Sequence, residues 1–194
     1  MDLKRRNRKN EVSEILPEMF GKLPPQAIEF EEAVLGAIII EMSSLRVVSA
    51  ILRPEHFYKE SHNMIFQAIM ELYQAHETID MLTVTLKLRK KGQLDFVGGP
   101  VVISTLTNKI SSTANIEVHS RVIVQKFMQR ELIRSASGFM NQAYSEEIDI
   151  FNLLATAART ISDIQALNVN KQAAKVAELT KPMLDDIDKR LKDD

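Results

Sequence analysis

From Ala27 to Leu167 the apolar residues of this chain recur at helical spacing, and polar or proline-containing breaks cut the pattern into pieces of ten to thirty residues. Pro24-Pro25 ends whatever precedes and sets an extended start. A helix is predicted from about Ala27 to Glu41. Ile28, Leu35 and Ile39 lie on one side, and Ala33, Ile38 and Ile40 widen the apolar face, as in a central, well-covered helix. Ser43-Ser44 offers a cap for a second helix to about Leu52, ended by Pro54. After an aromatic knuckle, His56-Phe57-Tyr58, Ser61 is expected to cap a helix to about Ala75. Its stripe is Met64, Ile65, Ala68, Ile69, Leu72 and Tyr73.

One segment is ambiguous. Val84, Leu86 and Leu88 alternate with polar residues as a strand would. Asp80 as N-cap, the cations Arg89, Lys90 and Lys91 near the C-terminus, and Gly92 just beyond them argue for a helix, which is the reading adopted. Gly98-Gly99-Pro100 makes a loop into a helix to about Lys109. Asn115 can cap a long helix from Ile116 to about Tyr144. Asp149 caps the next, Ile150 to about Leu167, with Leu153, Leu154, Ala157, Ile161 and Ile164 on its apolar side. The short link from Ser145 to Asp149 places these two helices antiparallel, as a hairpin. Residues 168–174 read as a polar linker. A last helical pattern carries Val176, Leu179, Met183, Leu184, Ile187 and Leu191.

The fold class is therefore all-α. Four regions are expected: a basic arm (1–22), a helical head (23–114), a hairpin (115–167), and a linker with its own helix (168–194). Composition agrees: 194 residues, 45% hydrophobic, only six glycines and six prolines. A net charge of −1 argues against a surface built to coat nucleic acid. No cysteine is present, so disulfides, thiolate metal sites and thiol nucleophiles are excluded. No apolar run approaches the roughly 18 residues of a membrane span, and no signal-peptide core follows the basic N-terminus. A cytoplasmic protein with no membrane partner is expected.

Catalytic patterns are missing. There is no phosphate-cradling G-x-x-x-x-G-K-[ST] loop, no H-E-x-x-H and no Gly-x-Ser-x-Gly elbow. His56, His62, His76 and His119 share no metal-ligand spacing, and for His56 and His62, which flank the aromatic knuckle, packing or capping suits better than ligation. Asp185, Asp186 and Asp188 sit beside Lys181, Lys189 and Arg190 and read as a solvated face. Glu31-Glu32 and Glu146-Glu147 match helix dipoles better than acid–base chemistry. No catalytic residue, cofactor site or metal site is assigned.

Interaction surfaces are the better candidates. A hairpin can bury only part of a broad apolar face. The surplus is expected at Ile133, Ala136, Phe139, Phe151, Leu154, Ala158 and Ile161, as an oligomerisation surface. The last helix has no evident place to pack, so Leu179, Met183, Leu184, Ile187 and Leu191 are expected to dock on another molecule.

A set of residues between Leu23 and Gly99 adds a family resemblance. It comprises Leu23-Pro24-Pro25, Glu29, Val34-Leu35-Gly36, Phe57-Tyr58, His62, Ile65-Phe66, Ile79-Asp80 with Thr83, Gly92-Gln93-Leu94 and Val97-Gly98-Gly99. Ala114-Asn115, Val122 and Arg130 extend it. In order and spacing the set resembles the N-terminal domain of the bacterial replicative DNA helicase DnaB, from roughly Leu23 to Leu191. The resemblance implies a head and hairpin that pair into dimers, three dimers forming the collar of a hexameric ATP-dependent helicase. It implies primase recruitment, contact with DNA mainly through the parent hexamer, and a linker helix that docks on the neighbouring subunit's motor. The RecA-like motor, with its ATP and magnesium, is absent, so the chain is expected to be an excised fragment with no activity of its own. A free-standing helical module that binds helicase or primase is the alternative. A DNA-binding module using Lys4, Arg5, Arg6, Arg8 and Lys9 is a third reading, disfavoured by the balanced charge.

Overall fold

A computed structural model of the chain describes residues 22–108 and 113–167. Among the described residues there are seven α-helices, one 3-10 turn and no strand. We label them α1 (Ile28–Ile40), α2 (Ser44–Ser49), the 3-10 turn Pro54–His56, α3 (Glu60–Gln74), α4 (Met81–Lys90), α5 (Gly99–Asn108), α6 (Ile116–Ala143) and α7 (150–167).

The breadth of the apolar face of α1 puts it at the centre. Val34, Leu35, Ala37, Ile38 and Ile39 are buried, and the helix packs on α6, α5, α3 and α2. Around it close Leu45, Phe66, Ile69, Leu72, Leu88, Ile103 and Ile123. In α3 the double-width stripe is filled as its spacing predicts, with Ile65, Ala68, Ile69 and Leu72 buried and Met64 and Tyr73 packed at the edge. In α4 the strand-like alternation is resolved by burial. Val84 and Leu88, four apart, are fully covered, whereas Leu86 faces out, so only the helical period is used.

Helix ends are decided by local chemistry in some places and not in others. Asp80 Oδ1 accepts the N–H groups of Leu82 and Thr83, both at 2.8 Å, and Thr83 Oγ1 accepts the Asp80 N–H at 3.0 Å, a complete capping box. At the far end of α4, Gly92 lies at φ +67°. Its N–H reaches the Arg89 carbonyl, and the Gln93 N–H reaches Leu88, closing a Schellman motif. The same pair of bonds ends α3, but there the left-handed position holds His76 at φ +56°. Gly98, at φ +96°, is also constrained by space: a Cβ there would stand 2.7 Å from Val102 Cγ2.

Three expected caps are corrected. Ser43 directs its hydroxyl to Glu41 Oε1 at 2.6 Å rather than into α2. Ser61 lies inside α3, which starts a residue earlier without a side-chain cap. Asn115 stands at the N-cap of α6 but makes no capping bond. Asp149 does cap α7, its Oδ1 accepting the Phe151 N–H at 2.9 Å.

α6 and α7 run antiparallel. The first turn of α7 shares a small depression with Gln142, near the end of α6. Its last turn shares a larger cleft with Gln125, Met128 and the residues of α2. The N-terminal half of α6 is thus part of the head's core, while its C-terminal half and α7 project from it.

Candidate functional site

Two arrangements stand out: a polar hub where α6 meets the head, and the outer face of the hairpin.

The hub begins with Glu31. It lies three and four residues before Val34 and Leu35, so the helical period carries it onto the buried face of α1, where it is 1% exposed. Its carboxyl satisfies an entry into α3 that has no side-chain cap of its own. Oε1 accepts the Tyr58 N–H at 2.7 Å, and Oε2 accepts the Lys59 N–H at 3.4 Å and the Nδ1–H of buried His62 at 2.8 Å. A single side chain 27 to 31 residues upstream therefore does the work of an N-cap and anchors α3 to α1.

Arg130 closes the hub from α6. Its two terminal nitrogens donate to the carbonyls of Pro25 at 2.9 Å and His56 at 2.7 Å. Its guanidinium lies over the rings of Tyr58 and Phe127, 5.5 and 5.6 Å from their centroids. Burial pushes its pKa below the usual arginine range, with Glu31 opposing the shift. Only a planar fork can hold two carbonyls and stack at once. Arg130 thereby ties together the start of α1, the 3-10 turn and the long helix.

His56 is the neutral member. Its Nδ1 accepts the Arg53 N–H at 3.1 Å, and its ring packs on Phe127 at 4.8 Å. An imidazole that accepts at Nδ1 carries its proton on Nε2. That Nε2–H is buried and has no acceptor among the described residues. Burial, foremost, holds the pKa down from 6.5 to about 4; Glu55 opposes this, and Arg53 and Arg130 add to it. No group of three metal-ligating side chains occurs among the described residues.

The hairpin is the opposite case. Phe151 is 78% exposed and Leu154 59%, with Ala158 and Ile161 continuing the exposed stripe, three or four residues apart, and Ile161 turning toward the cleft that faces the head. On α6, Ile133 and Ala136 are exposed and Phe139 is half-buried. The inner side of α7 is instead Leu153, which is buried, with Ala157 and Ile164 half-buried. All seven hairpin residues singled out from the sequence thus lie on or beside solvent-facing apolar surface. The five in the last helical pattern, Leu179, Met183, Leu184, Ile187 and Leu191, and the basic arm through residue 21 lie outside the described residues.

The hub was missed from sequence, where Glu31 reads as a dipole-matching acid and Arg130 as a mark of resemblance. A signal was present. Arg130 follows Ile116, Ser120, Ile123 and Phe127 at three- and four-residue steps, and Glu31 precedes Val34, Leu35 and Ile38 in the same way. A charge on a buried stripe must have partners.

The model of the DnaB-like helicase N-terminal domain family matches residues 23–125, more than half of the chain. The chain belongs to that family. The replicative DNA helicase DnaB of Rhodothermus marinus is 36% identical over 170 residues, covering 88% of this chain and 18% of that protein. The crystal structure of the N-terminal domain of DnaB helicase from Mycobacterium tuberculosis matches with 28% identity and a TM-score of 0.69, over 73% of this chain and 99% of that one. The fold is also similar to that of a DnaB-like replicative helicase studied with its interactions with primase, at 22% identity and a TM-score of 0.58, over 77% of this chain and 35% of that one. The chain spans about a third or less of the length of these helicase relatives. The match is to the N-terminal domain, which is not the helicase motor. No helix among the described residues is long and apolar enough to cross a membrane.

Proposed function

We propose that this chain is the collar domain of a hexameric, ATP-dependent replicative DNA helicase, working in the cytoplasm. It joins subunits through its hairpin and recruits primase, and has no motor activity of its own. The observation that carries this reading is the exposed stripe of Phe151, Leu154 and Ile161 on a helix that packs inward at Leu153. Side chains of this size, aligned on one face and left in water, gain about 1.5 to 3 kcal/mol each when a partner covers them. A second copy offers the same stripe to the first, which suits a two-fold interface. Family membership, and the primase named with one structural neighbour, support the replication setting. ATP and magnesium would belong to the motor of the parent protein, as would most contact with DNA. The linker-helix stripe from Leu179 to Leu191 would reach the neighbouring subunit's motor.

Sedimentation velocity tests the central claim. The chain is expected to self-associate at tens of micromolar, roughly the range of a weak interface. Phe151→Asp with Leu154→Asp is expected to leave only monomer, with helical content intact. A monomeric parent chain, or a double variant that still assembles, refutes the assignment of this face.

A further inference from the structure

The cleft between the head and the end of the hairpin holds about 1460 Å³ and is bounded by α2, the N-terminal part of α6 and the last turns of α7. Its lining is mixed, with Val47, Ile51, Val124, Met128, Leu132 and Ile164 among the apolar residues. Its charged lining is Arg46, Arg53 and Arg121 against Glu117 and Asp163. Arg121 is paired with Glu117 at 2.6 Å, whereas no carboxylate among the described residues lies within ion-pair range of Arg46 or Arg53. His56 also lines the cleft and brings a buried Nε2–H that has no acceptor among the described residues. Apolar side chains, two cations on the head side with no carboxylate in range among the described residues, and a buried donor describe a site for an amphipathic segment that carries carboxylates.

The chain contains an amphipathic segment close by, residues 179–191, in which Asp185, Asp186 and Asp188 stand beside Lys181, Lys189 and Arg190. Leu167, the last described residue, is itself part of the cleft lining. Seven residues (168–174) separate it from the final helical pattern, a reach of roughly 23 Å when extended. In that pattern Leu179, Met183, Leu184, Ile187 and Leu191 share one broad side, at helical spacing Asp186 and Asp188 fall on its two borders, and Arg190 falls within it beside Met183. So short a link gives an effective concentration near the millimolar range, enough to favour even weak docking within one chain.

We propose that the cleft is the docking site of this chain's own segment 179–191, its apolar side on Val47, Met128 and Leu132 and its aspartates toward Arg46 and Arg53. This self-contact competes with any docking of the same segment on a neighbouring subunit, so assembly has to release it. The self-contact stands independently of the collar reading, and its competition with assembly rests on that reading.

Because the chain has no cysteine, engineered pairs report the contact cleanly. Val47→Cys with Ile187→Cys is expected to oxidise at least about ten-fold faster than Val101→Cys with Ile187→Cys, whose α5 position lies outside the cleft. The product should have monomer mass, and the rate should not change between about 1 and about 50 micromolar protein. Leu132→Cys serves in place of Val47→Cys if the latter perturbs α2. Arg46→Asp with Arg53→Asp should slow the reaction at least about three-fold. Adding Asp186→Lys and Asp188→Lys should restore it. Equal rates for the two pairs, a dimeric product whose rate rises with concentration, or no restoration by the reversed charges each overturn the proposal.

Discussion

The head and the hairpin use the same side chains to opposite ends. Phe66 in α3 is fully buried and Phe151 in α7 is almost wholly in water; Leu35 and Leu154 differ in the same way. In the head, helices cross around α1 from several sides, so an apolar face of any breadth finds cover. In the hairpin two helices cover only each other's inner sides, and the outer stripe is left. Equal hydrophobicity therefore means stability in one region and association in the other. Polar groups follow the same division. In the head, Glu31, His62 and Arg130 are bonded across long sequence distances, with the buried His56 Nε2–H left over, whereas the polar groups of the hairpin are solvated.

The largest way to break this contrast is at Glu31. Replacing it with Ala strands the amides of Tyr58 and Lys59 and the ring N–H of His62 in a buried site. The head is expected to lose about 3 to 5 kcal/mol in chemical denaturation. A loss under about 1 kcal/mol would mean that the hub is solvated.

Acid is expected to act next, through His56. Its folded pKa lies near 4, below its unfolded 6.5, so between these values the unfolded chain binds the extra proton. Stability from this group is complete above about pH 6.5 and falls as pH drops toward 4, with a slope of at most about 1.4 kcal/mol per unit. Protonating Nδ1 also costs the bond from the Arg53 N–H. Urea midpoints measured from pH 7 to pH 4 should show this slope, reduced in His56→Gln.

Arg130→Ala, which frees two carbonyls and two aromatic faces, should cost about 2 to 3 kcal/mol. Arg130→Lys should recover less than half of that, since an ammonium cannot fork and stack together. His76→Gly should raise stability by about 0.5 to 1 kcal/mol, because the left-handed position in the α3 Schellman motif strains any residue with a Cβ. Smallest in its effect on folding is the hairpin pair, Phe151→Asp with Leu154→Asp. Its unfolding midpoint at monomeric concentration should move by no more than about 0.5 kcal/mol. If that pair unfolds the chain, the contrast between core and surface stripe is lost.

The sequence by itself determined whatever depends on neighbours a few residues apart. The helical period of α1 and α3, the capping box at Asp80, the left-handed Gly92 and the Asp149 cap were legible because each is a local bond or a local clash. The ordered residues from Leu23 to Gly99 likewise carried the family resemblance. Caps at Ser43, Ser61 and Asn115 were misread because a hydroxyl or amide next to a helix has other bonds to choose from, and the tertiary setting chooses. Ser43 found Glu41, and α3 was started by Glu31 from another helix. For the apolar stripes, periodicity states which residues share a side but not what covers that side. Only the fold decided that Leu153 faces inward and Leu154 outward on one helix, and that Arg130 reaches the carbonyls of Pro25 and His56. These outcomes depend on which helix faces arrive together, and the Arg130 bonds join residues 74 and 105 positions apart.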